Sequence, residues 1–571
     1  MSTWGARRAV DLLQSLTRLY YRRKYGVLAR RMGRPGVESD ARRGFIIIQV
    51  DGLSYSHLLE AIEAGSMPYL GQLVAEGRLA LLSWSCGLPS ATPAVQAGIM
   101  FGNRYDIPGF RWYEKEQGLS VVAKRPDQMR DLQVRLKGNS VGLLAGGSSY
   151  VNLFDGDASL ALFTLTALHP QRFFESVRGF GLLMLFLLSP FRVLRVCGMT
   201  LKGYLKALLW RLVALFRPTV LKLYDVFSPL LASAADALFT EVQTFGVMLD
   251  IYRRVPAIYA NYNRYDEVAH FMGPVHPAAL GVLRGVDRRI QQIDRMRTGY
   301  RDREYDLYVL SDHGNTPSVP FSWEVGRSLG RFIVQQLGQQ LSLDEVFGRP
   351  GYSLAKARYL LEDLRTASER LPVGLRRVVR ALWRYMDRRV PPDREVEAYD
   401  LKRREDVVVR VSGPLAHVYF NVSPRPLDLI EVALLYPQLL DRLLETEAIG
   451  LLVGRAGGQV VALGPNGGAA TITKRLREVE GPDPLASFGE SRWVAQELRR
   501  VVSFPHSGDL ILLGRVGPDG HTVTFEEQVA THGGLGGPQG EPFVAASPEA
   551  ELSPTNGPED LYHFFRKRYR G

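Results

Sequence analysis

The sequence reads FIIIQV from Phe45 to Val50 and continues directly into Asp51-Gly52. A short apolar run without polar alternation is typical of a strand buried on both faces, as in a parallel sheet covered by helices. The acidic residue comes at the point where this strand ends. We therefore expect Asp51 to lie at the carboxyl edge of a buried parallel sheet.

Two further strands of the same type also end beside acidic or imidazole side chains. They are Ile258 to Tyr262, soon followed by Asp266 and His270, and Tyr305 to Ser311, followed directly by Asp312 and His313. In open α/β sheets the binding site lies beyond the carboxyl ends of the strands. The sequence thus predicts an α/β fold with a mostly parallel central sheet flanked by helices, and a site at one edge of that sheet.

Composition limits the class of protein without choosing a partner. The 571 residues leave room for a main domain with sizeable insertions, and the apolar fraction of 46% is ordinary for a globular protein. The net charge of +12 suits nucleic acid, anionic lipid or a phosphorylated substrate, but no nucleic-acid-binding module is recognised. Cys86 and Cys197 are the only cysteines, which argues against a disulfide framework. The sequence makes no prediction of oligomeric state.

Changes in composition divide the chain into seven segments. They are a basic amphipathic N-terminal segment (1–44), a core α/β part (45–155), a helical insertion (156–252), a second core α/β part (253–320), a charged helical insertion (321–406), a β-rich C-terminal part of the core (407–546) and a tail (547–571) that looks loosely ordered before an aromatic-basic end.

Two of these segments have compositions that suit a membrane surface. The segment 1–44 places Arg and Lys among Leu, Trp and Tyr, and the insertion 156–252 is rich in Leu and Phe with interspersed Lys and Arg. Each could instead pack on the body of the protein, as a solvated helix or as a cap. The most apolar uncharged run, between Arg178 and Arg192, falls well short of the ~20 residues that cross a bilayer, and the longer uncharged stretch from Leu79 to Asn103 is broken by Ser, Gly and Pro. No secretory signal peptide is visible. We therefore expect a cytoplasmic protein with peripheral attachment at the inner face of the membrane.

The pair Thr92-Pro93 supplies a candidate nucleophile. Threonine is favoured at a helix cap and proline at the first helical position, so the Thr92 hydroxyl is expected at a helix N-terminus, where an anion is attracted. Carboxylates and imidazoles are the usual ligands of catalytic zinc, and two such metals ~4 Å apart can clamp a transferring phosphoryl group. Simpler interpretations are a turn cap for Asp51, a buried imidazole for His270 and a mere helix cap for Thr92.

Five pieces of the sequence together resemble the alkaline phosphatase superfamily, specifically its type I phosphodiesterase and nucleotide pyrophosphatase family. They are VDG (Val50 to Gly52), PSATPA (Pro89 to Ala94), YDEVAH (Tyr265 to His270), SDHG (Ser311 to Gly314) and THGG (Thr531 to Gly534). The resemblance runs from about residue 45 to residue 543 and is interrupted by the two insertions. It implies an alkaline phosphatase-like fold.

The resemblance also implies a ligand set and a mechanism. One metal would be held by Asp266, His270 and His532, and a second by Asp51, Asp312 and His313. The cofactors would be two divalent ions, expected to be Zn²⁺. Thr92 would attack a small phosphate-ester substrate and form a covalent phosphothreonine intermediate, which a metal-activated water would hydrolyse. His506 and His521 lie near His532 in sequence, so His532 is the least secure of the ligands.

One departure from the family pattern concerns the phosphate contact. Family phosphodiesterases often place an Asn downstream of the nucleophile, but here Phe110 or Arg111 best fits that place and Asn103 comes too early. Arg111 is therefore expected to contact the substrate phosphate.

The function favoured is phosphodiesterase or nucleotide pyrophosphatase-type hydrolysis. A phosphomonoesterase and a lipid or head-group phosphotransferase of the same superfamily remain open as alternatives. From another class, a catalytically inactive membrane-surface binding protein is the alternative.

Overall fold

A computed structural model describes residues 43–138, 140–168, 186, 189–214, 228–299, 303–337, 341–346, 365, 373–389, 406–474, 477–553 and 555–570. The basic segment predicted at 1–44 lies almost entirely outside these residues.

Twenty strands lie in the described residues. They are β1 Gly44–Val50, β2 Ala80–Ser83, β3 Arg111–Glu114, β4 Leu119–Val122, β5 Ser148–Tyr150, β6 Leu160–Leu162, β7 Ala257–Tyr262, β8 Tyr305–Leu310, β9 Thr316–Pro320, β10 Leu343–Val346, β11 Val407–Ser412, β12 Leu415–Phe420, β13 Ile449–Ala456, β14 Gln459–Leu463, β15 Ala469–Ile472, β16 Arg477–Glu480, β17 Leu510–Gly514, β18 Thr522–Thr524, β19 Ala530–Thr531 and β20 Phe543–Ala546.

Fifteen α-helices accompany them in the same part of the chain. They are α1 Tyr55–Glu63, α2 Pro68–Ala75, α3 Thr92–Phe101, α4 Pro126–Lys137, α5 Pro190–Ala214, α6 Ser228–Arg253, α7 Arg264–Met272, α8 Pro277–Gly299, α9 Phe321–Val325, α10 Leu329–Gln336, α11 Val373–Arg389, α12 Leu429–Leu435, α13 Leu439–Leu444, α14 Ser491–Val502 and α15 Pro558–Tyr569.

The central sheet has seven strands in the order β2-β20-β8-β1-β7-β5-β6. β1 lies between β7 and β8 and is parallel to both, so that Ile47 pairs with Tyr259 on one side and with Tyr308 on the other. β5 and β6 continue the parallel part, whereas β20 and β2 add an antiparallel edge. The mostly parallel sheet predicted from the sequence is confirmed.

The strands β1, β7 and β8 are buried along their whole length. Burial on both faces explains their continuous apolar sequences, because no face of these strands meets water. Since the three neighbours are parallel, their carboxyl ends reach the same edge of the sheet. Residues that follow Val50, Tyr262 and Leu310 are therefore brought together.

A second sheet covers the later part of the chain. It has eight strands in the order β10-β11-β12-β17-β13-β14-β15-β16, and its neighbours are antiparallel except for β10 and β11. The segment 407–546, predicted as a part of the core, therefore builds most of a separate sheet. Only β20 returns to the central sheet, beside β8.

Each of the two predicted insertions contains a short strand. The segment 156–252, predicted to be helical, contains β6, which extends the central sheet beside β5. The segment 321–406 contains β10, which pairs with β11 of the second sheet. In both cases a strand of three or four residues is too short to show a clear pattern in the sequence. The long helices α5 and α6 occupy most of the rest of the described part of the first insertion.

The aromatic-basic end of the tail segment 547–571, for which the sequence predicted no element, is ordered in the structure. Residues 558–569 form α15, whose Leu561 and Phe565 are fully buried. The Phe565 ring stacks on Phe45 of β1 at 5.3 Å between centroids and meets Tyr308 of β8 edge-on at 4.9 Å. The helix thus covers one face of the central sheet.

The same C-terminal helix supports α3. A Cβ placed at Gly98 of α3 would lie 2.5 Å from the Pro558 side chain, so the two helices approach closely only because position 98 carries no side chain. α3 begins at Thr92, and its position against the sheet therefore depends partly on α15.

No helix of the described residues has both the length and the apolar character needed to cross a membrane.

Phe565→Ala is expected to lower the free energy of unfolding by about 3 to 5 kcal/mol, because it removes a buried ring from contact with Phe45 and Tyr308. Urea denaturation followed by fluorescence measures the change. Lys567→Ala, on the exposed side of the same helix, is the matched control and should stay within about 0.5 kcal/mol of the wild type. Equal unfolding midpoints for the two variants would contradict the packing described.

Candidate metal centre

Two groups of three side chains lie at the carboxyl edge of the central sheet. Asp266, His270 and His532 form the first group, and Asp51, Asp312 and His313 form the second. Within each group the candidate ligand atoms lie within 4.8 Å of one another. The structure therefore brings together all six residues that the sequence resemblance assigned as ligands, in the same two groups.

The two groups lie side by side. The imidazole rings of His313 and His532, one from each group, are stacked with centroids 3.7 Å apart. The second group is buried, whereas the first is partly exposed. The first group therefore faces the opening of the site and the second lies beneath it.

The three histidines are oriented by backbone carbonyl groups. Nδ1 of His270 lies 2.8 Å from the oxygen of Ala530, Nδ1 of His532 lies 3.0 Å from that of Ser90, and Nδ1 of His313 lies 3.0 Å from that of Gly314. A carbonyl oxygen only accepts hydrogen bonds, so each Nδ1 is the donor. In the neutral ring Nε2 then keeps its lone pair, as a metal ligand requires.

The Nε2 atoms all face carboxylates of the two groups. Nε2 of His270 lies 3.1 Å from Oδ2 of Asp266, and Nε2 of His532 lies 3.6 Å from its Oδ1. Nε2 of His313 lies 3.7 Å from Oδ1 of Asp51 and 3.4 Å from Oδ2 of Asp312. In each group, nitrogen and oxygen atoms with lone pairs thus lie around one shared position.

Each aspartate is held in place by a neighbouring donor. Asn261 Nδ2 donates to Oδ2 of Asp51 at 2.8 Å, and the backbone N–H of Gly52 donates to Oδ1 of Asp312 at 3.3 Å. Asn315 Nδ2 donates to Oδ1 of Asp266 at 2.9 Å. These bonds fix the carboxylates while leaving oxygens directed towards the imidazoles.

One buried oxygen supports the assignment of a cation site. Oδ2 of Asp312 is buried and accepts no hydrogen bond, although a buried polar atom without a partner is costly. A divalent cation between Asp51, Asp312 and His313 would satisfy this oxygen and offset the burial of two carboxylates. The residues present therefore fit the group that the sequence resemblance implies.

The carboxylate and the imidazoles of the first group shift each other's pKa values. Burial opposes ionisation of Asp266, but His270 and His532 hold the pKa of its carboxyl well below the usual range. Burial likewise opposes protonation of His270, yet Asp266 raises the pKa of this imidazole to about 9. In the second group burial lowers the pKa of His313 despite the nearby Asp312. Asp266 and His270 thus each favour the charged form of the other.

Thr92 lies beside both groups. Its Oγ1 is 3.2 Å from Nε2 of His313, and it opens α3, a helix of ten residues. The sequence predicted Thr92 as the helix cap; instead Ala91 occupies the cap position with extended backbone angles, and Thr92 is the first helical residue. The shift of one residue leaves the hydroxyl at the helix N-terminus, where the helix dipole favours an anion.

A pocket of about 110 Å³ opens over Thr92 and the first group. Arg111 also lines it, as the sequence predicted for a substrate contact. Its Nη1, however, donates to Oε1 of Glu526 at 2.7 Å and to the carbonyl of Val411 at 2.8 Å. The buried pair with Glu526 partly compensates the charge of Arg111, and contact with a phosphate remains a prediction.

The sequence analysis missed the residues that orient the ligands. Asn315 follows directly after SDHG, and Asn261 lies within the strand β7, so both were adjacent to recognised motifs. Gly52 has a φ of +74°, and a Cβ at this position would lie 2.4 Å from Oδ1 of Asp266. The glycine of VDG therefore allows the first group to approach the end of β1. A glycine directly after a candidate ligand is a signal in the motif that could have suggested this close approach.

Comparisons of the sequence with protein-family models and with curated proteins find no match. Among solved structures, the chain is similar to phosphonoacetate hydrolase from Sinorhizobium meliloti 1021 in complex with phosphonoformate. The identity is 16%, the coverage is 93% of this chain and 96% of that chain, and the TM-score is 0.43.

It is also similar to murine ectonucleotide pyrophosphatase/phosphodiesterase 5, at 10% identity, with 92% of this chain and 95% of that chain covered and a TM-score of 0.41. TM-scores of this size carry no conclusion about substrate or mechanism. The chemistry of this chain is therefore inferred from its own side chains.

Proposed function

We propose that this protein is a two-metal phosphoesterase that hydrolyses phosphodiesters, of the phosphodiesterase and nucleotide pyrophosphatase type. The observation that carries this proposal is the stack of His313 on His532 at 3.7 Å, with Thr92 Oγ1 3.2 Å from His313. It puts two candidate metal sites and a hydroxyl at a helix N-terminus in contact with one pocket. Two-metal catalysis with a covalent intermediate at phosphorus combines these three features.

The proposed metals are zinc ions. Asp266, His270 and His532 would hold one, and Asp51, Asp312 and His313 the other, since mixed imidazole and carboxylate ligation suits zinc. When bound, such ions supply positive charge that favours ionisation of a hydroxyl and offsets the charge developing on the phosphoryl oxygens.

Thr92 is proposed as the nucleophile. Its oxygen forms a bond to phosphorus while the bond from phosphorus to the leaving alcohol breaks, and the alcohol departs with a proton. A water molecule then attacks the phosphothreonine, which restores the Thr92 hydroxyl and releases the phosphate product. The N-terminus of α3 stabilises the anionic group throughout, because the helix dipole points its positive end at Thr92.

The remaining pocket residues are proposed to hold the substrate. Arg111, Lys124 and Phe110 all line the pocket. The Arg111 guanidinium carbon lies 5.2 Å and the Lys124 ammonium 5.9 Å from the centroid of the Phe110 ring. Cations beside the nucleophile suit a phosphate, and an aromatic ring suits an apolar or aromatic leaving group.

Thr92→Ala is expected to reduce hydrolysis of bis-p-nitrophenyl phosphate by about 10³-fold or more, because it removes the attacking oxygen. Absorbance of released nitrophenol measures the rate, and metal analysis should show unchanged metal content. Thr92→Ser, which keeps a hydroxyl, is the matched control and should retain measurable activity. The same assay with p-nitrophenyl phosphate compares diester with monoester preference, and hydrolysis of the monoester alone would favour a phosphomonoesterase. Full activity in Thr92→Ala would exclude the covalent mechanism.

Purified protein is expected to contain two metal ions per chain, and chelation should abolish activity and lower the melting temperature. Asn315→Ala should weaken metal binding by about 10- to 100-fold, because Asn315 orients Asp266. Titration of the metal-free protein with Zn²⁺ measures both stoichiometry and affinity. Asn556→Ala, at an exposed position, serves as the control. Catalysis that survives complete metal removal would contradict the proposal.

Arg111→Ala is expected to raise KM about tenfold through loss of a charged contact with phosphate. It also leaves Glu526 without this partner, so the double variant Arg111→Met/Glu526→Gln separates the two effects. A KM that stays raised in the double variant supports a direct contact. A return to the wild-type KM would show that Arg111 only compensates Glu526.

A further inference from the structure

A stripe of large apolar side chains is exposed along one side of α5. Its members are Phe191, Leu194, Leu201, Leu205, Leu209 and Leu212, which are between 56% and 77% exposed. Their spacing of three, four or seven residues keeps them on one face of the helix. We call this face the leucine stripe.

The charge along α5 has one sign. Residues 190–214 include five basic residues and no acidic residue. Lys202 and Lys206 follow Leu201 and Leu205 by one position each, so they form a basic row beside the leucine stripe, and both are exposed. Apolar side chains bordered by cations are the pattern of a helix that lies in the interface of an anionic membrane.

Residues outside the leucine stripe fix α5 to the body of the protein. Arg192 and Arg195 each approach Glu241 of α6 at 3.7 Å, and Glu241 is fully buried. Gly203 lies close to Ser233 of α6, where a Cβ would approach the Ser233 hydroxyl to 3.0 Å. The leucine stripe therefore belongs to a helix that is packed against its neighbour, and its exposure follows from that orientation.

The end of α5 also contacts the part of the chain that carries the first metal group. The Trp210 ring meets His276 at 4.5 Å between centroids, and His276 lies in the short connection between α7 and α8. α7 contains Asp266 and His270. The surface formed by α5 thus adjoins the element that supplies two of the six candidate ligands.

We infer that the leucine stripe and its basic row dock the protein on an anionic phospholipid bilayer. The leucines enter the boundary between head groups and acyl chains, and Lys202 and Lys206 contact the lipid phosphates. This inference does not depend on the proposed hydrolytic activity.

Charge complementarity favours lipid over other occupants of this face. A second copy would bring the same basic row against itself, and residues 1–42, with ten basic and three acidic residues, would also be repelled. A nucleic acid would engage the lysines but would leave six apolar side chains in water. An anionic bilayer accommodates both kinds of side chain.

Full-length protein is expected to sediment with vesicles of phosphatidylcholine mixed with phosphatidylglycerol, and much less with phosphatidylcholine alone. Leu201→Gln/Leu205→Gln/Leu209→Gln should lower the apparent affinity about tenfold or more, since glutamine keeps helix propensity but removes apolar area. Lys202→Gln/Lys206→Gln should weaken binding to the anionic vesicles and reduce its dependence on salt. Ile430→Gln/Leu434→Gln, at two exposed apolar positions of α12, is the matched control and should bind like the wild type.

Cys197 allows the docking face itself to be observed. It is exposed on α5, whereas Cys86, the other cysteine, is buried. A polarity-sensitive dye on Cys197 should shift to the blue with anionic vesicles and be quenched by spin-labelled lipids. The control, a dye at position 434 in the variant Cys197→Ser/Leu434→Cys, should show neither change.

Three outcomes would overturn the inference. The first is absence of binding to anionic vesicles by the wild type. The second is equal binding by the triple glutamine variant with no shift of the Cys197 dye, which would assign binding to another segment, such as 1–42. The third is a dimer that the triple variant converts to a monomer, without any effect on vesicle binding, which would assign the face to a second copy. Hydrolysis of a small soluble ester should be the same in all these variants and the wild type.

Discussion

Three carboxylates gathered at one edge of a buried sheet are the constraint on which the rest of the site depends. Asp51, Asp266 and Asp312 are brought together because β1, β7 and β8 are parallel neighbours whose carboxyl ends coincide. Buried like charges repel and lose hydration, so the fold must supply compensating groups. The imidazoles supply part of this compensation, and the unpartnered Oδ2 of Asp312 marks where a cation fits.

One of the imidazoles that offset the charge of these carboxylates comes from a segment outside the central sheet. His532 reaches the first group because β19 pairs with β9, which follows the SDHG motif. Its Nδ1 is then held by the carbonyl of Ser90, in the loop that leads to Thr92. One hydrogen bond therefore couples a candidate ligand to the segment that presents the candidate nucleophile. A change in either segment would move both.

The same molecule separates its reactive pocket from its apolar surface. The pocket combines Thr92, Arg111 and Lys124 with the first metal group, whereas the leucine stripe lies on α5, outside the pocket. The contact of Trp210 with His276 joins the two regions through the connection that follows α7. A phosphoesterase site close to a helix with apolar and basic side chains would suit phosphate esters presented at a membrane surface. The two proposals are compatible in this way, but neither depends on the other.

The sequence by itself determined the buried strands and the residue types at their ends, because apolar runs are local features. The grouping of the six candidate ligands came from the resemblance of five short motifs to a known family. Only the tertiary structure decided the rest. The helix α15 was not predicted, since its order comes from packing on Phe45 and Tyr308, which lie far away in sequence. Which nitrogen of each imidazole carries the proton depends on contacts with backbone carbonyl groups. The carbonyl of Ser90, which orients His532, is 442 residues away from it in sequence. The leucine stripe, too, is exposed only because α6 packs on another face of α5, a choice that the helical spacing of leucines does not encode.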